Sequence, residues 1–131
     1  MIFELVPTVK CGELAFLTDR ANVRELLGKY STFTKSKSSE NSTDDFGFSH
    51  AYYNKFDQLI AVEFFPEADL RFSGGKLFSL PAKELKNLLK SYDEAVVIDD
   101  YSVFSKVLGM FAEIDEDEIK SVLVCTADYY D

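Results

Sequence analysis

Apolar residues are concentrated in two runs within residues 48–65, which read FSHAYYNKFDQLIAVEFF. Two runs rich in aromatic and β-branched residues flank the stretch Asn54-Lys55-Phe56-Asp57, an arrangement typical of two strands joined by a tight turn. The pattern therefore predicts a β-hairpin. Successive side chains in a strand point to opposite faces. The second strand should thus have one apolar and one mixed face, made respectively of Ile60, Val62 and Phe64 and of Leu59, Ala61, Glu63 and Phe65.

A period of 3.6 residues, typical of an amphipathic helix, occurs twice. Residues 18–28 begin with two possible capping side chains, Thr18 and Asp19, and end at Gly28, a residue that commonly terminates helices. The second stretch follows Pro81, which is favoured at a helix start. We expect these helices to cover the hairpin, because an isolated hairpin is marginal in water. The apolar positions are Val23, Leu26 and Leu27 in the first helix and Leu85, Leu88 and Leu89 in the second.

The two halves of the chain match at one constant sequence offset. Apolar helix positions correspond, and so do two positions of a strand, which indicates a tandem duplication of a helix-then-hairpin unit. We predict an α+β fold with an antiparallel sheet, helices on one face, and internal units at about 1–72 and 73–131. The matched positions are Val23, Leu26, Leu27, Tyr30, Ile60 and Val62 with Leu85, Leu88, Leu89, Tyr92, Val122 and Val124.

Four shorter segments complete the prediction. Residues 2–7 form a β-prone run that ends at a proline, and we expect this strand at a sheet edge. Residues 31–45 are polar apart from one aromatic; they are predicted to be mainly a mobile loop, with a possible strand start at 32–34 and no site. Residues 70–72 are expected to form a third short strand. The tail, 127–131, is expected to fray.

Length and charge limit the function. With 131 residues, 47% of them hydrophobic, the chain suits a single domain, 1–131. A formal charge of -9, from 14 Lys and Arg against 23 Asp and Glu, disfavours nucleic acid as a direct ligand and favours a basic partner. The first residues lack the pattern of a signal peptide and no run reaches membrane-spanning length, so we expect a cytoplasmic protein without a membrane partner.

The residues that usually carry enzyme chemistry are sparse. Cys11 and Cys125 have no companions at metal-binding spacing and are expected to be reduced and structural. His50 is the single histidine, which excludes any mechanism that needs a histidine pair; a lone acid or base, or an interface contact, stays open. The acidic stretch 115–118 lacks the spacing of a calcium loop. We therefore expect no catalytic residue, metal or cofactor, and no enzyme.

Tyrosines and carboxylates are the candidates for binding a partner. Tyr52 and Tyr53 face opposite sides of their strand, so at most one joins the core face with Ile60. Glu63 shares the outward face of the next strand, which would give the sheet a mixed aromatic and acidic surface suited to Lys and Arg side chains. Three acidic clusters occur, at Asp44–Asp45, Asp99–Asp100 and Asp115–Glu118. Each cluster alone is expected to be a solvated turn, but together they favour a basic partner. The candidate partner-binding residues are Tyr52, Tyr53, Glu63, Asp99, Asp100, Asp115, Glu116, Asp117 and Glu118.

Two stretches resemble known families. The string CGELAFLTDRANVRELLGKY is similar to the opening of the small helix-plus-sheet modules of the β-lactamase inhibitor protein and outer-membrane-assembly lipoprotein type, although Leu17 stands where such openings usually carry glycine. HAYYNKFDQLIAVEFF and LRFSGGKLFSLPAKELKNLL resemble small bacterial cytosolic immunity proteins of toxin systems, including contact-dependent growth inhibition.

The resemblance implies a binding module that neutralises a cognate toxin by covering the toxin's active site. A basic nuclease as the toxin would also account for the acidic charge of this chain. It transfers no catalytic residues to this chain. An alternative is a small-molecule-binding or regulatory α+β domain, which would need a deep apolar pocket between helix and sheet. A hydrolase that uses His50 is a third hypothesis. The toxin's identity and the oligomeric state do not follow from the sequence.

Overall fold

The computed structural model describes residues 1–131, which form mainly β-strands with two α-helices. Neither helix is long and apolar enough to cross a membrane. The helices are α1 (Arg20–Leu27) and α2 (Ala82–Tyr92), and a 3-10 helix covers Leu77–Ser79. In chain order the strands are β1 (Ile2–Val6), β2 (Lys10–Cys11), β3 (Leu14–Ala15), β4 (Ser31–Phe33), β5 (Thr43–Asp45), β6 (Ser49–Tyr53), β7 (Leu59–Phe64), β8 (Asp69–Phe72), β9 (Gly75–Lys76), β10 (Val97–Ile98), β11 (Ser102–Ser105), β12 (Met110–Asp115) and β13 (Glu118–Cys125).

The large sheet has eight strands in the order β10-β11-β12-β13-β7-β6-β5-β4, and every neighbouring pair is antiparallel. Four strands come from each half of the chain, and β7 and β13 join the halves at the centre. The element order repeats as well, since short strands, a helix and four strands occur in each half. The second series begins with β8, at Asp69. The predicted α+β fold is confirmed, including the hairpin of β6 and β7.

One face of the large sheet, which we call the inner face, carries the main core. Apolar residues of both helices lie in the same buried cluster as the inner side chains of the strands. Val23 of α1 and Leu85 and Leu89 of α2 are each fully buried there. Complete burial of such side chains contributes about 1.5–3 kcal/mol each. The helices therefore cover one face, as the periodicity predicts.

A second sheet, of five strands in the order β3-β2-β1-β8-β9, was not expected. Its strands β1 and β8 pair in parallel, so β1 is a central strand and the predicted edge position for residues 2–7 is wrong. The ring of Phe3 lies 4.9 Å from that of Phe64 and 5.8 Å from that of Phe48. The small sheet therefore packs on the inner face of the large one.

A bulge in the β6–β7 pairing changes the predicted faces of β7. Tyr52 pairs with Ala61 and Tyr53 with Leu59, so Ile60 is the extra residue. An extra residue reverses the alternation on one side of the bulge. Leu59 consequently joins the main core, whereas Ile60 packs with Tyr52 and Ala61 on the opposite side of the sheet.

Leu17 adopts a left-handed backbone conformation, with φ of 71°. The turn is held in place because Leu17 N–H donates to the carbonyl of Leu59 at 2.7 Å, and Leu59 N–H donates to that of Thr18 at 2.9 Å. Glycine adopts positive φ at little cost, whereas a residue with a Cβ is strained by about 1–2 kcal/mol. Leu17 thus occupies a position that glycine would adopt with less strain.

Residues 31–45 are more ordered than predicted, because β4 and β5 form one edge of the large sheet. Asp44 in β5 is fully buried and lies beneath α1. Its carboxylate accepts hydrogen bonds from Arg24 Nε (2.8 Å) and Nη2 (3.0 Å), from Thr32 Oγ1 (2.9 Å) and from Tyr53 OH (3.0 Å). A solvated position for Asp44 is therefore wrong. The carboxylate ties α1 to the edge strands.

Replacement of Asp44 by Asn should destabilise the fold by about 3 kcal/mol, because it removes the charge that pairs with Arg24 and breaks a buried network. The matched control is Asp45→Asn, next in the chain and partly exposed, for which we expect a change within about 0.5 kcal/mol. Urea unfolding followed by circular dichroism measures both. A loss below about 1 kcal/mol for Asp44→Asn would contradict the structural role of this network.

The same carboxylate should make stability depend on pH. Burial raises the pKa of Asp44, but hydrogen bonds from Arg24, Thr32 and Tyr53, with the charge of Arg20, outweigh burial and hold the pKa below its usual value. The folded state then binds this proton less tightly than the unfolded chain. The stabilisation is complete above the unfolded pKa of about 4 and is lost as pH falls through the folded pKa.

We therefore expect the difference in unfolding free energy between the wild type and Asp44→Asn to be constant from neutral pH to about pH 5 and to shrink below about pH 4. Unfolding curves recorded at a series of pH values test this. The prediction fails if the difference stays constant throughout the acid range.

Candidate protein-binding face

The side of the large sheet turned away from the helices is called the reverse face. Strand pairing places eight residues in one line across it, and we call this line the cross-sheet row. Seven strand spacings of about 4.8 Å give it a length of about 34 Å. The row consists, from β4 to β10, of Ser31, Asp45, His50, Glu63, Leu123, Phe111, Phe104 and Val97.

The half of the row contributed by the first unit is polar and centred on His50. Its Nε2 lies 3.5 Å from Asp45 Oδ1, and its Nδ1 lies 3.8 Å from Glu63 Oε1. The rings of Phe33 and Phe65 meet the imidazole edge-on at 5.1 and 4.9 Å. His50 is therefore held between two carboxylates and two aromatic rings, with part of its surface exposed.

Tyr52 supports this polar half from the neighbouring position along β6. Its hydroxyl donates to Glu63 Oε1 at 3.1 Å, and the ammonium of Lys35 lies 4.8 Å above its ring. Burial, reinforced by the negative charge of Glu63, raises the pKa of Tyr52. The phenol therefore stays protonated at neutral pH and keeps donating to Glu63, which fixes the position of that carboxylate.

The half of the row contributed by the second unit is apolar. Phe104 and Phe111 lie opposite each other on β11 and β12, with ring centroids 6.0 Å apart. Leu123 and both rings are partly exposed, and Val97 at the end of the row is 59% exposed. A cavity of about 590 Å³ is bordered by Val97, Phe104 and Val107. Large apolar groups and carboxylates thus share one surface.

The C-terminal segment 126–131 folds onto the reverse face instead of fraying as predicted. Tyr129 packs on Tyr52 and Cys125, and the ring of Tyr130 lies 4.8 Å from that of Phe104. Lys106 Nζ pairs with Asp131 Oδ1 at 2.9 Å. The segment covers the part of the reverse face at the Tyr52 end of the strands. It borders the cross-sheet row, which it contacts at Phe104.

The predicted partner-binding residues fall into three places. Tyr53 lies on the inner face, 3% exposed, so its proposed contact with a partner is not available in this structure. Tyr52 and Glu63 lie together on the reverse face, although Tyr52 is only 8% exposed. The remaining acids lie in or beside two turns at one end of the sheet: Asp99 and Asp100 between β10 and β11, Glu116 and Asp117 between β12 and β13, and Asp115 and Glu118 at the adjoining ends of those two strands.

These two turns are close in space. Ile114 N–H donates to the carbonyl of Tyr101 at 2.8 Å, which holds the end of β12 against the first turn. Asp99 accepts from Tyr101 N–H at 2.8 Å and Ser102 Oγ at 3.1 Å, and these bonds lower its pKa. The carbonyl of Asp117 accepts from Ala82 N–H at the start of α2. The turns therefore form one acidic end of the second unit.

The sequence reasoning missed the apolar half of the row. Alternation in β12 could have placed Phe111 and Glu113 on one face. The register that brings Phe104 opposite Phe111 depends on the turn at 106–109, which the apolar pattern does not define. No family model, curated protein or solved structure matches this chain.

Reactivity of Cys125 should report how firmly the tail is packed. Burial raises its pKa to about 12, with a smaller contribution from Asp128, so the thiol is protonated and covered by Tyr129. We expect Tyr129→Ala to speed the labelling of the Cys125 thiol by a disulfide reagent roughly tenfold or more, because the tail then separates from the sheet more easily.

Two controls accompany this measurement. Cys11 is buried in the main core and should stay protected in the same molecules, and Tyr101→Ala removes an exposed tyrosine elsewhere. Mass spectrometry of the labelled peptide identifies which thiol reacts. Equal labelling of Cys125 in wild type and Tyr129→Ala would show that the tail does not protect it.

Proposed function

We propose that this chain is a protein-binding module of the immunity-protein type, which captures a basic protein toxin in the cytosol on the reverse face of its large sheet and covers the toxin's active site. The observation that carries the proposal is the cross-sheet row. It joins partly exposed aromatic residues to a set of carboxylates on a sheet whose other face is closed by helices and a second sheet.

The composition of the row suits a protein interface. Protein-binding surfaces combine a central apolar patch, rich in aromatic residues, with a polar rim. Here Phe104, Phe111 and Leu123 supply the apolar patch, while Asp45 and Glu63 supply charge on one side. A typical interface buries about 800 Å² on each partner. A row about 34 Å long, with its neighbouring residues, offers a surface of that order.

The overall charge supports a basic partner. The chain carries a formal charge of -9, and the acidic end formed by the two turns lies at the border of the reverse face. Such a field attracts a basic protein and can raise its association rate by roughly 10–10³. A nuclease toxin that binds a polyanion needs a basic surface, and that surface would be complementary to this face.

The alternative function, small-molecule binding between helix and sheet, has less support. The cavity of about 590 Å³ lies beside the apolar half of the row, at the edge of the large sheet. The facing helix and sheet residues Leu85, Leu89 and Val62 are fully buried in the main core. The space between helix and sheet is therefore filled by side chains, which favours protein binding on the reverse face over a small-molecule site.

Co-expression with the product of the gene immediately upstream tests the proposal. We expect this chain to restore growth and to co-purify with that product in a stoichiometric complex. Phe111→Ala should weaken the complex at least tenfold, because truncation of an aromatic anchor at an interface costs about 2 kcal/mol. Calorimetric titration of one purified protein with the other gives the dissociation constants.

The matched control is Phe56→Ala, which removes a 69% exposed phenylalanine from the turn between β6 and β7. Its affinity should equal that of the wild type. Absence of rescue and of a complex would refute the proposed function. Equal affinities of Phe111→Ala and the wild type would remove the cross-sheet row from the interface.

A further inference from the structure

A groove of about 470 Å³ opens on the reverse face at the acidic end of the second unit. Tyr101, 71% exposed, borders it on one side, and Phe111 of the cross-sheet row borders it next to the apolar patch. The carboxylates of Glu113 and Asp115 line it from the same face of β12. The hydrogen bond from Ile114 N–H to the carbonyl of Tyr101 fixes the position of Tyr101 relative to β12.

The carboxylates of this groove are free to meet a partner. Glu113 and Asp115 form neither a hydrogen bond nor an ion pair with another side chain of the protein, and both residues are exposed. Lys120 also lines the groove, but its Nζ is bound to Glu118 Oε2 at 2.9 Å. The groove therefore combines aromatic sides with two unpaired negative charges.

The protein itself shows which group fits such surroundings. The guanidinium of Arg20 lies 4.0 Å from the ring centroid of Tyr53 and its Nε lies 3.5 Å from Asp44 Oδ2. Arg24 likewise lies 4.1 Å from the ring of Tyr30 and pairs with the same carboxylate. In both cases an arginine sits between a tyrosine ring and a carboxylate. The groove at Tyr101 has the ring and the carboxylates and no arginine of its own.

We propose that the groove bordered by Tyr101, Phe111, Glu113 and Asp115 binds an arginine side chain of the protein partner. The inference rests on the proposed function, since it names the chemistry of one contact within that interface. The aromatic rings take the flat face of the guanidinium, and the two carboxylates accept its N–H donors.

Arginine fits this groove better than lysine does. A guanidinium is planar, stacks on aromatic rings and offers five donors in a fixed fork, whereas an ammonium is a compact and strongly hydrated charge. Glu113 and Asp115 are two residues apart on one strand face, so their carboxylates can be reached by different edges of one guanidinium. The position next to Phe111 joins this polar contact to the apolar patch.

The first experiment uses the peptide acetyl-Gly-Arg-Gly-amide as the probe and the same peptide with citrulline as its uncharged isostere. Titration of the isotope-labelled full chain, followed by NMR, should shift the signals of Tyr101, Phe111 and Glu113 with the arginine peptide. We expect the citrulline peptide to bind the wild type at least tenfold more weakly than the arginine peptide does. The arginine peptide should likewise bind Glu113→Gln/Asp115→Asn at least tenfold more weakly than it binds the wild type. Binding of the arginine peptide elsewhere, or equal binding of both peptides, would overturn the inference.

The matched control is Glu25→Gln/Glu84→Gln, which removes the same charge from exposed positions on the helices. It should bind the arginine peptide as the wild type does. If this control loses binding as strongly as Glu113→Gln/Asp115→Asn, net charge explains the effect and the groove does not. Both variants change exposed side chains, and their spectra without peptide report whether the fold is intact.

The second experiment separates this inference from the proposed function. Affinity for the upstream gene product is compared between the wild type and Glu113→Gln/Asp115→Asn, with at least tenfold weakening expected. An unchanged affinity in an intact complex would refute the arginine contact and leave the proposed function in place. Specific binding of the arginine peptide without any complex would refute the proposed function and leave the groove as an arginine site.

Discussion

The antiparallel pairing of β7 with β13 is the interaction on which the rest of the structure depends. It aligns Phe64 with Val122 and Val62 with Val124 on the inner face, so the cores of the two units become one. On the reverse face the same pairing sets Glu63 beside Leu123. Without it, the polar half and the apolar half of the cross-sheet row would belong to separate surfaces.

Register makes this arrangement sensitive to single residues. A shift by one residue in a strand exchanges its two faces. The bulge at Ile60 produces such an exchange locally, and it places Leu59 in the main core while Glu63 stays on the reverse face. A slip of β7 against β13 would bury Glu63 without a partner, which costs several kcal/mol. The inner core therefore fixes the composition of the reverse face.

Local signals in the sequence account for the elements that were predicted correctly. The turn after Tyr53, the helix end at Gly28 and the proline before α2 each act within a few residues. The parallel pairing of β1 with β8 joins segments more than sixty residues apart, and no local pattern encodes it. Asp44 looked like part of a solvated turn because its partners, Arg24 and Tyr53, lie on other elements. The apolar patch was missed for the same reason, since it exists only once β11 and β12 are in register.

The acidic residues also oppose self-association of a sheet that exposes aromatic rings. Exposed apolar patches promote self-association, and a sheet edge such as β10, with Val97 and Ile98 exposed, is a further site for it. Two copies that approach through this face would bring together two chains of charge -9 and two sets of unpaired carboxylates at Glu113 and Asp115. A basic protein meets no such repulsion. The carboxylates thus disfavour a second copy, and under the proposed function the same groups would attract the basic partner.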